Sequence, residues 1–174
     1  MKVKFCAQRD MMDCGAACLQ SICQHYGKEF ELLHIRNLCH ITRNGVSMLG
    51  IADAAEALGL NTIGVKLTWE QLCKDAHLPC IIHWNQRHFV VVAKIRNDIV
   101  TVMDPAIGIL KYKKADFQKC WLQLSGTNVA EKMGAALLLS PTAKFYSSTK
   151  EKHSGASTQI SALLKHLRPF RSRM

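Results

Sequence analysis

Over the first sixty residues the apolar positions fall at helical spacing. Ala16, Ala17, Leu19 and Gln20 favour a helix from Cys14 to His25, with Asp13 placed to cap its start. Tyr26-Gly27 ends it, because Gly suits a left-handed C-cap. Leu32, Leu33, Ile35 and Leu38 make Glu31 to Cys39 a short amphipathic helix. After a turn at Thr42-Arg43-Asn44-Gly45, Ser47 can cap a third helix over residues 47–58, closed by Gly59. The period then changes to two. Ile63, Val65 and Leu67 alternate in a strand over 61–67, and Thr68 caps a short helix, Trp69 to Lys74. Strands follow at Pro79–Trp84, His88–Ile95, Ile99–Met103 and Ile109–Tyr112. Lys114–Cys120 reads as a helical turn, and Ala135–Leu139 closes the sheet. Helices first and antiparallel strands second give an α+β domain.

The pattern divides the chain. Residues 1–140 hold the periodic elements. Residues 141–159 are polar, include Ser147-Ser148-Thr149-Lys150, and read as a linker. In residues 160–174, Ile160, Leu163, Leu164 and Leu167 return at helical spacing among Lys165, His166 and Arg168, the start of an amphipathic helix that could lie on a membrane surface.

Charge sharpens this division. The chain carries +10, and residues 142–174 supply +6 of it from seven Lys/Arg against one Asp/Glu. The basic tail could contact an anionic membrane surface. Residues 1–141 show no dense Lys/Arg stripe with interleaved aromatics, so nucleic acid is not an expected partner. The longest apolar run, Gly134 to Leu139, is too short to span a bilayer. No charged-then-apolar signal opens the sequence, so this piece is expected to be neither exported nor membrane-spanning. The eight cysteines, at 6, 14, 18, 23, 39, 73, 80 and 120, form no Cys-x-x-Cys and no Cys/His cluster at zinc spacing. Reduced thiols and no metal are the expectation.

One of those thiols is placed for chemistry. Cys14 falls in the first turn of its helix, where the positive end of the dipole favours thiolate, the nucleophilic form. Gln8, six residues upstream, could donate a hydrogen bond to a developing oxyanion. His88 opens an apolar strand and has a pKa suited to a general base. Asp104 ends the next strand and could orient that imidazole through its Nδ1–H. His25 is too far along the Cys14 helix to serve as base, roughly 16 Å away, and His83, on the preceding strand, is the weaker rival.

Register tests this set. A two-residue turn at Asn97-Asp98 pairs Val91 with Asp104 and puts His88 on the opposite face from that carboxylate. A three-residue loop, or an equivalent bulge, pairs Val90 with Asp104. His88 then lies on the same face and diagonal to it, about 7–8 Å away between Cα atoms. The triad requires the second arrangement.

Gln8, Asp13-Cys14-Gly15 with Cys18, His88-Phe89-Val90-Val91, and Asp104-Pro105-Ala106 with Gly108 occur in that order. Together they resemble the N-terminal cysteine-peptidase domain of peptidase-containing ABC transporters, the bacteriocin-processing, double-glycine type. The resemblance covers roughly residues 1–140, one domain's length. It implies a papain-like fold with the nucleophile on a helix and the base on a sheet. It also implies cleavage of a precursor's amphipathic leader peptide after a Gly-Gly or Gly-Ala pair, without a cofactor, on the cytoplasmic side of a bacterial membrane. Transmembrane and nucleotide-binding domains would be partners, and ATP is expected only in the latter. Exposed apolar residues around Ile35 to Met48 are the expected leader groove. Alternatives are a substrate-docking domain that does no chemistry, or another papain-like amidase or acyl transferase.

Overall fold

In the computed structural model the described residues are 3–42, 45–124 and 132–147, with backbone only at 123–124. The elements follow the change of period. Three helices come first: α1 (Cys14–His25), α2 (Leu32–Leu38) and α3 (Met48–Ala57). Then come β1 (Leu60–Leu67), α4 (Trp69–Lys74), β2 (Cys80–Trp84), β3 (His88–Arg96), β4 (Ile99–Asp104) and β5 (Gly108–Lys113). The chain continues through α5 (Lys114–Trp121), β6 (Gln123–Leu124), β7 (Lys132–Pro141) and α6 (Ala143–Ser147). The caps read from sequence hold at two helices. Ser47 Oγ accepts from Gly50 N at the start of α3, and Thr68 forms a full capping box with Gln71 at α4.

All strand pairs are antiparallel, in the order β1-β7-β2-β3-β4-β5, with β6 on the start of β7. Both faces of the sheet are covered. On one face α1, α2 and α3 bury Leu19, Ile22, Ile35 and Ile51 against Ile81, Phe89, Val91 and Leu137. On the other, α4 and α5 bury Trp69, Leu72, Phe117 and Trp121 against Ile82, Val90, Val92 and Val102. Alternate residues of a strand point to opposite faces. The central strands are therefore apolar at nearly every position, as in the run Phe89-Val90-Val91-Val92.

Two findings differ from the sequence reading. First, residues 142–147, expected to begin the linker, pack onto the domain. Thr142 Oγ1 donates to the Gly59 carbonyl at 2.6 Å, and Phe145 is fully buried beside Tyr26 and Phe30. Gly59 has φ +93°, and a Cβ there would lie 2.6 Å from the Phe145 backbone nitrogen, so the close approach requires glycine. The rest of the expected linker and the amphipathic basic helix lie outside the described residues. Among the described residues no helix is long and apolar enough to cross a membrane.

Second, the β3–β4 hairpin combines both registers considered. Its turn has two residues, with Asn97 and Asp98 at φ +50° and +57°, and pairs Arg96 with Ile99. A bulge between Val92 and Lys94 then shifts the ladder, so that Val92 pairs with Val102 and Val91 with Met103. The extra residue is Ala93. Continued, that register sets Asp104 opposite Val90 and on the same face as His88.

Candidate active site

The position of Cys14 comes from the packing of two helices. Cys14 is the first residue of α1 and is 7% exposed. Gly15 follows it because α3 comes so close. A Cβ at that position would lie 2.4 Å from Val46 Cγ1 and 2.6 Å from Ile51 Cδ1. The glycine thus lets α3 pack against the first turn of α1, where unpaired N–H groups concentrate positive potential.

His88 and Asp104 come from the sheet. His88 opens β3 and is half-buried, while Asp104 ends β4 and is buried. His88 Nε2 lies 2.7 Å from Asp104 Oδ1, which also accepts from Ala106 N at 2.9 Å. The Cys14 side chain lies near enough to act on the same imidazole. Burial pulls the imidazole pKa down, but the hydrogen bonds and charges of Cys14 and Asp104 outweigh it, and the net shift is upward from 6.5. The carboxylate and the neighbouring sulfur thus favour the protonated form of the imidazole.

This geometry corrects the ring orientation. The carboxylate takes Nε2, not Nδ1. An imidazole has two ring nitrogens, so Nδ1 is the one left without this partner. With the hydrogen on Nε2, Nδ1 is the nitrogen able to accept a proton.

Gln8 reaches the same place through the backbone. Its N–H donates to the Pro105 carbonyl at 3.0 Å, which lays the residue along the turn that carries Asp104. Its Oε1 is buried with no hydrogen-bond partner among the described residues. The structure brings His88 and Asp104 into side-chain contact, sets Cys14 near that imidazole, and brings Gln8 alongside by a main-chain bond. It leaves the rival histidines apart. His25 ends α1, and His83 is stacked on Phe89 with its pKa lowered by burial.

Asp13 departs from its expected role. It occupies the N-cap position, but its side chain makes no cap hydrogen bond. A capping residue is normally extended; Asp13 has φ −89° and ψ 1°, which turns the carboxylate away from the helix N–H groups. Its Oδ2 instead accepts from Asp10 N at 3.1 Å, and its Oδ1 lies 3.1 Å from Arg36 Nη1. The Oδ1 contact is ionic, because no donor hydrogen is aligned on that oxygen. Arg36 carries no signal of this in sequence, twenty-three positions away.

Five of the other seven thiols are buried. Cys18, one turn below Cys14, is fully buried and donates to the Phe89 carbonyl at 3.3 Å. Burial pushes its pKa well above 9.0, and those of Cys23, Cys39 and Cys80 to about 12. All eight cysteines are free. Among the described residues no cluster of His, Cys, Asp or Glu could hold a metal. The expected leader groove also changes: Ile35 and Cys39 are buried in the core, and the exposed apolar side chains nearby are Leu33 and Leu49.

Known proteins with this arrangement can now be set beside it. The model of the peptidase C39 family matches residues 2–127. A colicin V secretion/processing ATP-binding protein of Escherichia coli is 29% identical over 90% of this chain. A lactococcin-G-processing and transport ATP-binding protein of Lactococcus lactis is 35% identical over 68%. The chain spans only 21% and 18% of their lengths. Among solved structures, a double glycine motif protease from an AMS/PCAT transporter, in complex with the leader peptide, superposes with a TM-score of 0.72 at 32% identity. That match covers 81% of this chain and 93% of that one. The peptidase domain of Streptococcus ComA gives 0.68 at 28%, covering 80% and 99%.

Proposed function

The chain belongs to the peptidase C39 family, and from that premise we propose that Cys14, His88, Asp104 and Gln8 hydrolyse a precursor peptide after a double-glycine pair. A cysteine peptidase of papain-like fold needs a nucleophile, a base and an orienting group. The observation that carries the residue assignment is His88 Nε2 at 2.7 Å from Asp104 Oδ1, with the Cys14 side chain acting on the same imidazole.

The reaction follows from the geometry. His88 holds the proton of Cys14 on Nδ1 while Asp104 accepts from Nε2–H. The Cys14 thiolate attacks the scissile carbonyl. The oxyanion that forms is met by the Cys14 N–H, at the helix start, and by the Gln8 amide. Collapse expels the amine, which takes its proton from His88, and leaves a thioester on Cys14. Water, deprotonated by His88, then attacks the thioester and frees the leader's new carboxylate and the Cys14 sulfur. No step uses a cofactor.

The substrate and setting draw support from the relatives. Their names join processing to transport and ATP binding, and one similar structure holds a leader peptide. The substrate on this reading is the precursor of a bacteriocin-like or signalling peptide. The domain works at the cytoplasmic side of a bacterial membrane, beside transmembrane and ATP-binding domains that export the product. The basic tail would meet the anionic membrane surface. The test is mass spectrometry of a double-glycine precursor after incubation with wild type and Cys14→Ala. Cleavage after the glycine pair by wild type alone is expected. Equal cleavage by both would remove Cys14 as the nucleophile.

A further inference from the structure

We propose that Arg36, on α2, is a positioning residue for the oxyanion-binding groups. The inference rests on the reading of Gln8 and Cys14 N–H given above. The segment between those two residues is closed by a reciprocal turn: Asp13 N donates to the Asp10 carbonyl at 3.1 Å, and Asp10 N donates to Asp13 Oδ2 at 3.1 Å. The carboxylate that closes this turn is 1% exposed and directly precedes the nucleophile. A buried carboxylate is costly unless it is paired. Its partner is the Arg36 guanidinium, at 3.1 Å from Oδ1 and 3.4 Å from Oδ2, which also reaches Asp10 Oδ2 at 3.8 Å. One guanidinium thus braces both ends of the turn from a separate helix.

The far end of the segment is held by a different anchor, the bond from Gln8 N to Pro105 O. Between these two fixed points the backbone has little freedom. Releasing Arg36 loosens the Asp10–Asp13 turn, and with it the spacing between the Gln8 amide and the Cys14 N–H. It leaves the contacts of Cys14 with His88, and of His88 with Asp104, in place. The two reactions of Cys14 then separate. Acyl transfer builds an oxyanion and needs both donors; alkylation by iodoacetamide builds none and needs only the thiolate.

The experiment measures both reactions in wild type, Arg36→Gln and Arg36→Lys, with Cys14→Ala as the blank. For Arg36→Gln, kcat on a double-glycine precursor is expected to fall about 10–100-fold with KM within about twofold, while alkylation of Cys14 stays within about twofold of wild type. Arg36→Lys keeps the charge without the fork and is expected to recover part of the loss. If Arg36→Gln fails to fold because Asp13 is stranded, the double variant Asp13→Asn/Arg36→Gln strands no charge and must show the same split. Wild-type kcat in either, or a parallel loss of cleavage and alkylation, overturns the proposal. Wild-type cleavage that persists in Cys14→Ala overturns the underlying reading instead.

Discussion

Cys14 and Cys18 lie one turn apart on the same face of the same helix, and their surroundings are opposite. The first meets the unpaired N–H groups of the helix start and an imidazole carried in by β3. The second is enclosed, bonded to the carbonyl of the residue after that imidazole, and held protonated by burial. About 6 Å of helix rise separates them. Reactivity here is a property of what surrounds the sulfur, not of the helix that carries it.

The sharpest way to break the contrast is to remove each sulfur. Cys14→Ala is expected to lower cleavage by roughly 10^4-fold or more, because the covalent route disappears. Cys18→Ser should leave it within about tenfold, measured on the same precursor. Next in size, Asp104→Asn should cost roughly 10^2- to 10^4-fold in kcat by unsettling the tautomer. It should also move the alkaline limb of the pH–rate profile to lower pH, since that carboxylate helps raise His88.

Gly15→Ala acts one step removed, by pushing α3 off the first turn of α1. A Cβ so close to Val46 and Ile51 should cost about 1–3 kcal/mol, read as a drop in Tm. The smallest effect is on stability against pH. The folded pKa of His88 is above its unfolded value, so its contribution is full below about 6.5 and fades as pH rises through the folded pKa. In chemical denaturation, His88→Gln should flatten that part of the profile.

Sequence carried much of this. The ordered motifs picked out Cys14, His88 and Asp104, which the structure groups together, and caps such as Ser47 and Thr68 set helix starts that match the structure. What it hid has physical reasons. The bulge at Ala93 lies in a strand buried on both faces, where alternation of polar and apolar residues is lost. Its one trace is that Ile95 packs with Val90 and Val92 rather than with Phe89 and Val91. The choice of Nε2 over Nδ1 depends on how the ring enters the site, which spacing does not encode. The Arg36–Asp13 pair joins two helices through a tertiary contact, and no local pattern announces it. For α6 a cue was present, since Thr142 stands three residues before Phe145 and its hydroxyl accepts from that residue's N–H at 3.4 Å. The polar composition around it masked that cue.

The seat of Phe145 has a mechanical meaning. It rests beside Tyr26, just past the last residue of α1, while Cys14 is the first. The rod between them is about 18 Å long. A tug on the chain beyond Ser147 would be borne by Thr142 on Gly59 and by the ring wedged among aromatics. The anchor sits at one end of the rod and Cys14 at the other, so tension on the chain there would be spent before it reached the sulfur.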